Sequence, residues 1–154
     1  MEALHTHDLS CPCGAAQAEV TAMPTQRFFC HCTICQSLYK APFADVTILR
    51  ADAVSVTTPG AVGFNKYKAP PALDRGLCTA CEKPLLGFLH LPLLPDFAFI
   101  SAANYREPDL LPEPTMHIWY RSRQADVDDG LKKVSGPLMS NLVLAGPMLK
   151  TAFG

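Results

Sequence analysis

At 154 residues, with charged side chains at 18% and a formal charge of -1, the chain has the size of one domain and no basic footprint for nucleic acid or an anionic membrane. No apolar run reaches the ~18 residues that cross a bilayer, and residues 1–7 lack the basic-then-apolar order of a secretion signal. The expectation is a single cytoplasmic domain over 1–154 whose thiols stay unoxidised.

Fourteen prolines and nine glycines are scattered along the chain and leave segments mostly shorter than an average helix of about 11 to 12 residues. The first landmark is Cys11-Pro12-Cys13-Gly14, followed by a strand candidate at 17–23. Next come Cys30-His31-Cys32-Thr33-Ile34-Cys35, with a short helix expected over 33–39 and stopped by Pro42. Further strand candidates lie at 42–50, 54–57, 62–68, 85–91, 97–102 and 116–121, with Cys78-Thr79-Ala80-Cys81 among them. Short strands at this spacing predict a mainly β domain with little helix. The extension 136–154 is apolar around Leu138, Met139, Leu142, Val143 and Leu144 and is broken at Gly146-Pro147. It reads as a helix or strand packed on the domain or across a homodimer interface, with an active-site lid or a membrane-surface element as the alternative.

All seven cysteines fall in these three clusters. Disulfides between such close neighbours would be strained, and seven thiols cannot pair off, so the pattern points to metal. Cys11, Cys13, Cys78 and Cys81 supply four soft ligands, enough for a closed tetrahedral zinc site, while Cys30, Cys32 and Cys35 supply three and leave a fourth position open. Spacing alone also permits Cys32, Cys35, Cys78 and Cys81 as the set of four, and neither arrangement matches a ferredoxin run. Zinc on three thiolates is a poor Lewis acid, which disfavours hydrolysis. It can still bind a further thiol as thiolate, and a free thiol is only ~3% ionised at pH 7, so full ionisation gains roughly 30-fold.

The ordered set Cys-x-Cys-Gly at 11–14, Cys-His-Cys-x-x-Cys-Gln at 30–36, Ala-Pro-Phe at 41–43, Tyr67, Arg-Gly-Leu-Cys-x-x-Cys at 75–81 and His117-Ile118 resembles the glutathione-dependent formaldehyde-activating enzyme (GFA) family. That family includes the centromere protein V domain, and the likeness covers about residues 8–123. The resemblance implies a β-tent fold with two zinc ions per chain. Cys11, Cys13, Cys78 and Cys81 would hold a structural zinc, and Cys30, Cys32 and Cys35 a catalytic one. It further implies a carbon-sulfur lyase similar to S-(hydroxymethyl)glutathione synthase, joining or cleaving a glutathione-like thiol and a small aldehyde. A non-enzymatic zinc-binding interaction module is the alternative. The chain departs from the family pattern at Glu82, where glycine usually follows the last cysteine, and in its apolar ending.

Other residues carry weaker expectations. Alternation turns His31 away from its cysteine neighbours into a packing or supporting role, and His117 reads as a core histidine, with a site-facing role as the alternative that its family position implies. His5 and His7 read as a solvated tail. Arg75, Lys40 and Arg121 are candidates to steady thiolates or take a substrate carboxylate.

Overall fold

The computed structural model describes residues 6–69 and 72–153. In chain order its elements are β1 (His7–Ser10), β2 (Gln17–Val20), β3 (Gln26–Cys30), α1 (Thr33–Tyr39), β4 (Ala44–Arg50), β5 (Val54–Val56) and β6 (Val62–Lys66). They continue as β7 (Asp74–Cys78), β8 (Pro84–Leu89), β9 (Phe97–Ser101), β10 (Met116–Ile118), β11 (Lys132–Lys133) and α2 (Pro137–Phe153). A small antiparallel sheet runs β1-β2-β5, and a large one runs β11-β10-β3-β4-β9-β8-β7-β6. The chain is mainly β, as its short segments predict, with antiparallel and mixed sheets and two cysteine groups that could bind zinc, in keeping with the β-tent expectation. Within the large sheet, β10 runs parallel to both β3 and β11, whereas the other pairings are antiparallel.

The large sheet is sandwiched, so its central strands are apolar on both faces. On β4, Ala44, Val46 and Ile48 point into one core with Phe28, Phe97 and Phe99, while Leu49 points into the other with Ala98 and Ile100. This alternation is the strand period of two. The second core lies beneath the small sheet, which contributes Leu9, Ala18 and Val20. A buried threonine is accommodated there because the Thr47 hydroxyl reaches the Ile100 carbonyl at 2.9 Å and the Tyr105 hydroxyl at 2.8 Å.

The first core is closed by α2. The extension 136–154 is thus a helix, and its buried residues Ser140, Leu144, Met148 and Ala152 recur every fourth position, as a docking stripe should. Pro147 lies inside the helix, where its missing N–H removes one backbone bond. Docking makes up for it at both ends. The Ser140 hydroxyl accepts from the Trp119 N–H at 2.9 Å, and Arg50 Nη1 donates to the Ala152 carbonyl at 2.9 Å. The outer face keeps Leu138, Leu142 and Phe153 exposed. Among the described residues no helix is long and apolar enough to cross a membrane.

Ile48 has no exposed surface and sits at the centre of the large sheet. Ile48→Ala is expected to lower unfolding free energy by about 2 to 5 kcal/mol, read as a reduced urea midpoint with unchanged slope.

Candidate metal centres

Two groups of sulfur atoms converge. The first contains Cys11, Cys13, Cys78 and Cys81, and the second Cys30, Cys32 and Cys35; within each group all Sγ atoms lie within 4.8 Å of one another. The ribbon-like partition through Cys32, Cys35, Cys78 and Cys81 does not occur.

The group of four joins the two sheets. Cys11 and Cys13 lie in the turn after β1, Cys78 ends β7, and Cys81 lies in the turn to β8. The Cys11 and Cys13 sulfurs are 3.5 Å apart, and those of Cys13 and Cys78 are 3.6 Å apart. Four sulfurs at ~2.3 Å from a tetrahedral zinc would be ~3.8 Å apart, so the donor set and spacing fit that ion. Backbone N–H groups also point at these sulfurs. Ala16 donates to Cys11 Sγ at 3.4 Å, and Ala80 and Cys81 donate to Cys78 Sγ at 3.4 and 3.5 Å. Burial pushes the Cys11 thiol up, but the Ala16 N–H and the neighbouring thiols outweigh it and bring it down to about 6. The Cys81 and Ala80 N–H groups likewise lower Cys78. Both effects favour thiolates, the form a metal binds. Glu82, just after the last cysteine, takes the left-handed conformation at φ 61, which is why glycine suits this position.

The group of three is built by a strand end and a helix start. Cys30 is the last residue of β3, Cys32 caps α1 and Cys35 is buried inside it. Cys32 Sγ accepts the Cys35 N–H at 3.3 Å, so one sulfur serves both the helix cap and the cluster. Arg75 comes from β7 and sets both terminal nitrogens against Cys35 Sγ, at 3.8 and 3.9 Å. Crowding opposes ionisation of all three sulfurs together. Hydrogen bonds from Cys30 and Cys35 hold Cys32 far below an ordinary thiol, while its closeness to Cys32 and Cys35 pushes Cys30 well above. A divalent cation relieves that opposition, and three soft sulfurs suit zinc.

These sulfurs open onto a cavity of about 720 Å³. Its walls are largely apolar and include Phe28, Val46, Phe99 and Ile118 from the sheet with Leu144 and Met148 from α2. Lys68, Arg75 and Arg121 also line it, and no carboxylate does among the described residues. Lys68 lies over the ring of Trp119, 5.8 Å from its centroid, and Trp119 is itself part of the wall.

Behind the group of three, on the far side of β3, is a buried relay. His31 Nε2 and His117 Nδ1 are 2.8 Å apart, and His117 Nε2 lies 2.6 Å from Asp129 Oδ2. The Lys133 ammonium, 2.7 Å from Asp129 Oδ1, and the His117 ring hold the Asp129 carboxyl well below the usual carboxylate range. An ionised Asp129 can only accept, so His117 Nε2 donates to it, and His117 Nδ1 shares a single proton with His31 Nε2. His31 Nδ1 is left buried without a hydrogen-bond partner, among the rings of Phe43 and Tyr120. His31 thus supports the cysteine loop from behind, as alternation predicts. Gln36 adds to this by donating to the His31 carbonyl at 2.7 Å and the Ser122 carbonyl at 2.8 Å.

Of the remaining candidates, Arg75 and Arg121 reach the cavity, and Lys40 instead terminates α1 in the left-handed conformation. His7 is in β1, with Nδ1 2.8 Å from Glu107, rather than in a solvated tail; His5 lies outside the described residues. The sequence reading missed Lys68, Trp119, Asp129 and the inward residues of α2. Only the last had a local signal, the four-residue spacing from Ser140 to Ala152.

Residues 6–122 match the model of a family described as glutathione-dependent formaldehyde-activating enzyme. A crystal structure of a Rhodobacter sphaeroides protein matches 70% of this chain and 97% of its own, at 17% identity and a TM-score of 0.53, and so shares the fold. No curated protein matches.

Cys78→Ala is expected to abolish the cooperative thermal transition followed by circular dichroism, since zinc binding of about 10 to 16 kcal/mol rivals the whole stability of a domain. His117→Ala leaves Asp129 and His31 without their shared partner. It should lower stability by about 1 to 3 kcal/mol and speed amide exchange across residues 121–133.

Proposed function

Because the chain belongs to the glutathione-dependent formaldehyde-activating enzyme family, we propose that it is a zinc-dependent carbon-sulfur lyase that joins or cleaves a glutathione-like thiol and a small aldehyde. The observation that carries this reading is the contrast between the two thiol groups. Four sulfurs tie the sheets together, whereas three open onto the cavity with an arginine beside them. Cys11, Cys13, Cys78 and Cys81 would hold a structural zinc, and Cys30, Cys32 and Cys35 a catalytic one, two ions per chain.

When bound, zinc on three thiolates supplies a place where a fourth thiol is carried as thiolate. The chain's own residues do the rest. The Cys32 sulfur is fixed by the α1 N-terminus, and the Arg75 guanidinium offsets charge at Cys35. Lys68 and Arg121 offer cations to the carboxylates of a peptide thiol. The apolar wall limits water around the carbonyl carbon and keeps the two reactants together, which raises their effective concentration. In the synthetic direction the thiol S–H bond is lost, a carbon-sulfur bond forms at the aldehyde carbon, and the proton ends on the former carbonyl oxygen. The reverse direction returns thiol and aldehyde. A reducing cytoplasm, where glutathione is abundant and these cysteines stay unoxidised, suits this activity.

Metal analysis of the purified chain is expected to give two zinc ions, and Cys32→Ser to give one, with the melting transition kept. The same variant should lose at least about 100-fold in thiol-aldehyde exchange rate, measured by NMR magnetisation transfer. Unchanged exchange in Cys32→Ser would refute the assignment. One zinc per chain and no exchange in the wild type would favour an interaction module instead.

A further inference from the structure

The cavity is built for more than a one-carbon aldehyde. Formaldehyde adds a single carbon to the thiol and has no group to cover an apolar wall. Yet Phe28, Val46, Phe99, Ile118, Leu144 and Met148 all face the space in front of Cys30, Cys32 and Cys35. Two of these six come from α2, Pro137–Phe153, which lies wholly outside the 6–122 stretch matched by the family. The polar lining is one-sided in charge. Lys68, Arg75 and Arg121 are its charged members, and no acidic group among the described residues could take a second cation. A ligand that satisfies both features has an anionic part and an apolar part, with the sulfur near their junction.

We infer that the substrate is the adduct of an anionic thiol with an aldehyde bearing an extended apolar group, which α2 holds against the sheet. The inference rests on the thiol-aldehyde reading and names the aldehyde class within it. The anionic thiol lies toward Arg75, Arg121 and Lys68, and the aldehyde's alkyl or aryl chain lies along Leu144, Met148 and Phe99. The covalent change is the addition already described, with the apolar group in place of one formaldehyde hydrogen, so no further reactant is required.

Trp119 is the chain's single tryptophan and lines the cavity, so its fluorescence reports occupancy directly. Two stable thioethers, S-methylglutathione and S-hexylglutathione, serve as probes of the zinc-loaded full chain. Each methylene fully buried contributes roughly fourfold in affinity, so five extra methylenes, only partly covered, are expected to make S-hexylglutathione at least about tenfold tighter. Met148→Ala should reduce that ratio at least about threefold while a melting curve verifies folding. Equal affinities, or a ratio unaltered in folded Met148→Ala, would overturn the inference.

Exchange measurements with formaldehyde and hexanal separate this inference from the reading beneath it. Faster exchange with hexanal supports both. Catalysed exchange with formaldehyde but none with hexanal overturns the apolar-aldehyde inference and leaves the thiol-aldehyde reading standing. No catalysed exchange with either aldehyde, together with a kept preference for the hexyl thioether, overturns that reading while sustaining the apolar ligand class.

Discussion

Sulfur atoms held within a few ångströms of one another cannot all be ionised unless a cation sits among them, and the chain places its cysteines under that constraint twice. Near Cys11 and Cys78 the crowding lies where the small sheet meets β7, the last but one strand of the large sheet. The backbone N–H groups of Ala16, Ala80 and Cys81 favour the charged form at Cys11 and Cys78, while the neighbouring sulfurs push Cys13 up to about 12, an opposition that a cation would relieve. The hydrophobic layers then extend outward from a fixed corner, with Leu9 and Val20 facing Leu85 and Ile100.

The second crowding is handled differently, and the difference is what the proposed function rests on. Cys30, Cys32 and Cys35 lie on a strand end and a helix start, a geometry that directs three sulfurs to one side and leaves the other open. Their rear support is unusually rigid for a loop. The His31–His117–Asp129 chain and the two donations from Gln36 hold the backbone between the cysteines, so under the proposed function a thiol would meet a site already in place.

Much of this was legible in the sequence where local chemistry dominates. Helix α1 has the expected limits because Cys32 caps it and the chain reverses at Lys40 before Pro42. Strand β4 is evident from Val46, Thr47 and Ile48, which are β-branched and consecutive. Strand β3 was hidden because its residues Phe28 and Phe29 run directly into the cysteine cluster, and β1 and β11 are too short for alternation to show. The helical character of 137–153 was masked by Gly146-Pro147, which reads locally as a break and is overridden by docking through Ser140, Leu144, Met148 and Ala152. Asp129 could not be assigned to His117 because their meeting depends on β10 and β11 pairing side by side, a tertiary fact with no local signature.

The parallel pairing of β10 with β3, which sets Ile118 beside Cys30, also makes the site depend on distant parts of the chain. The four sulfurs of the first group are all present once Cys81 has been made. The flank of Cys30 must wait for Ile118, and the roof over the cavity for Met148. The wall in front of the three sulfurs is thus assembled from residues more than a hundred positions apart, so the cavity exists only once α2 has docked.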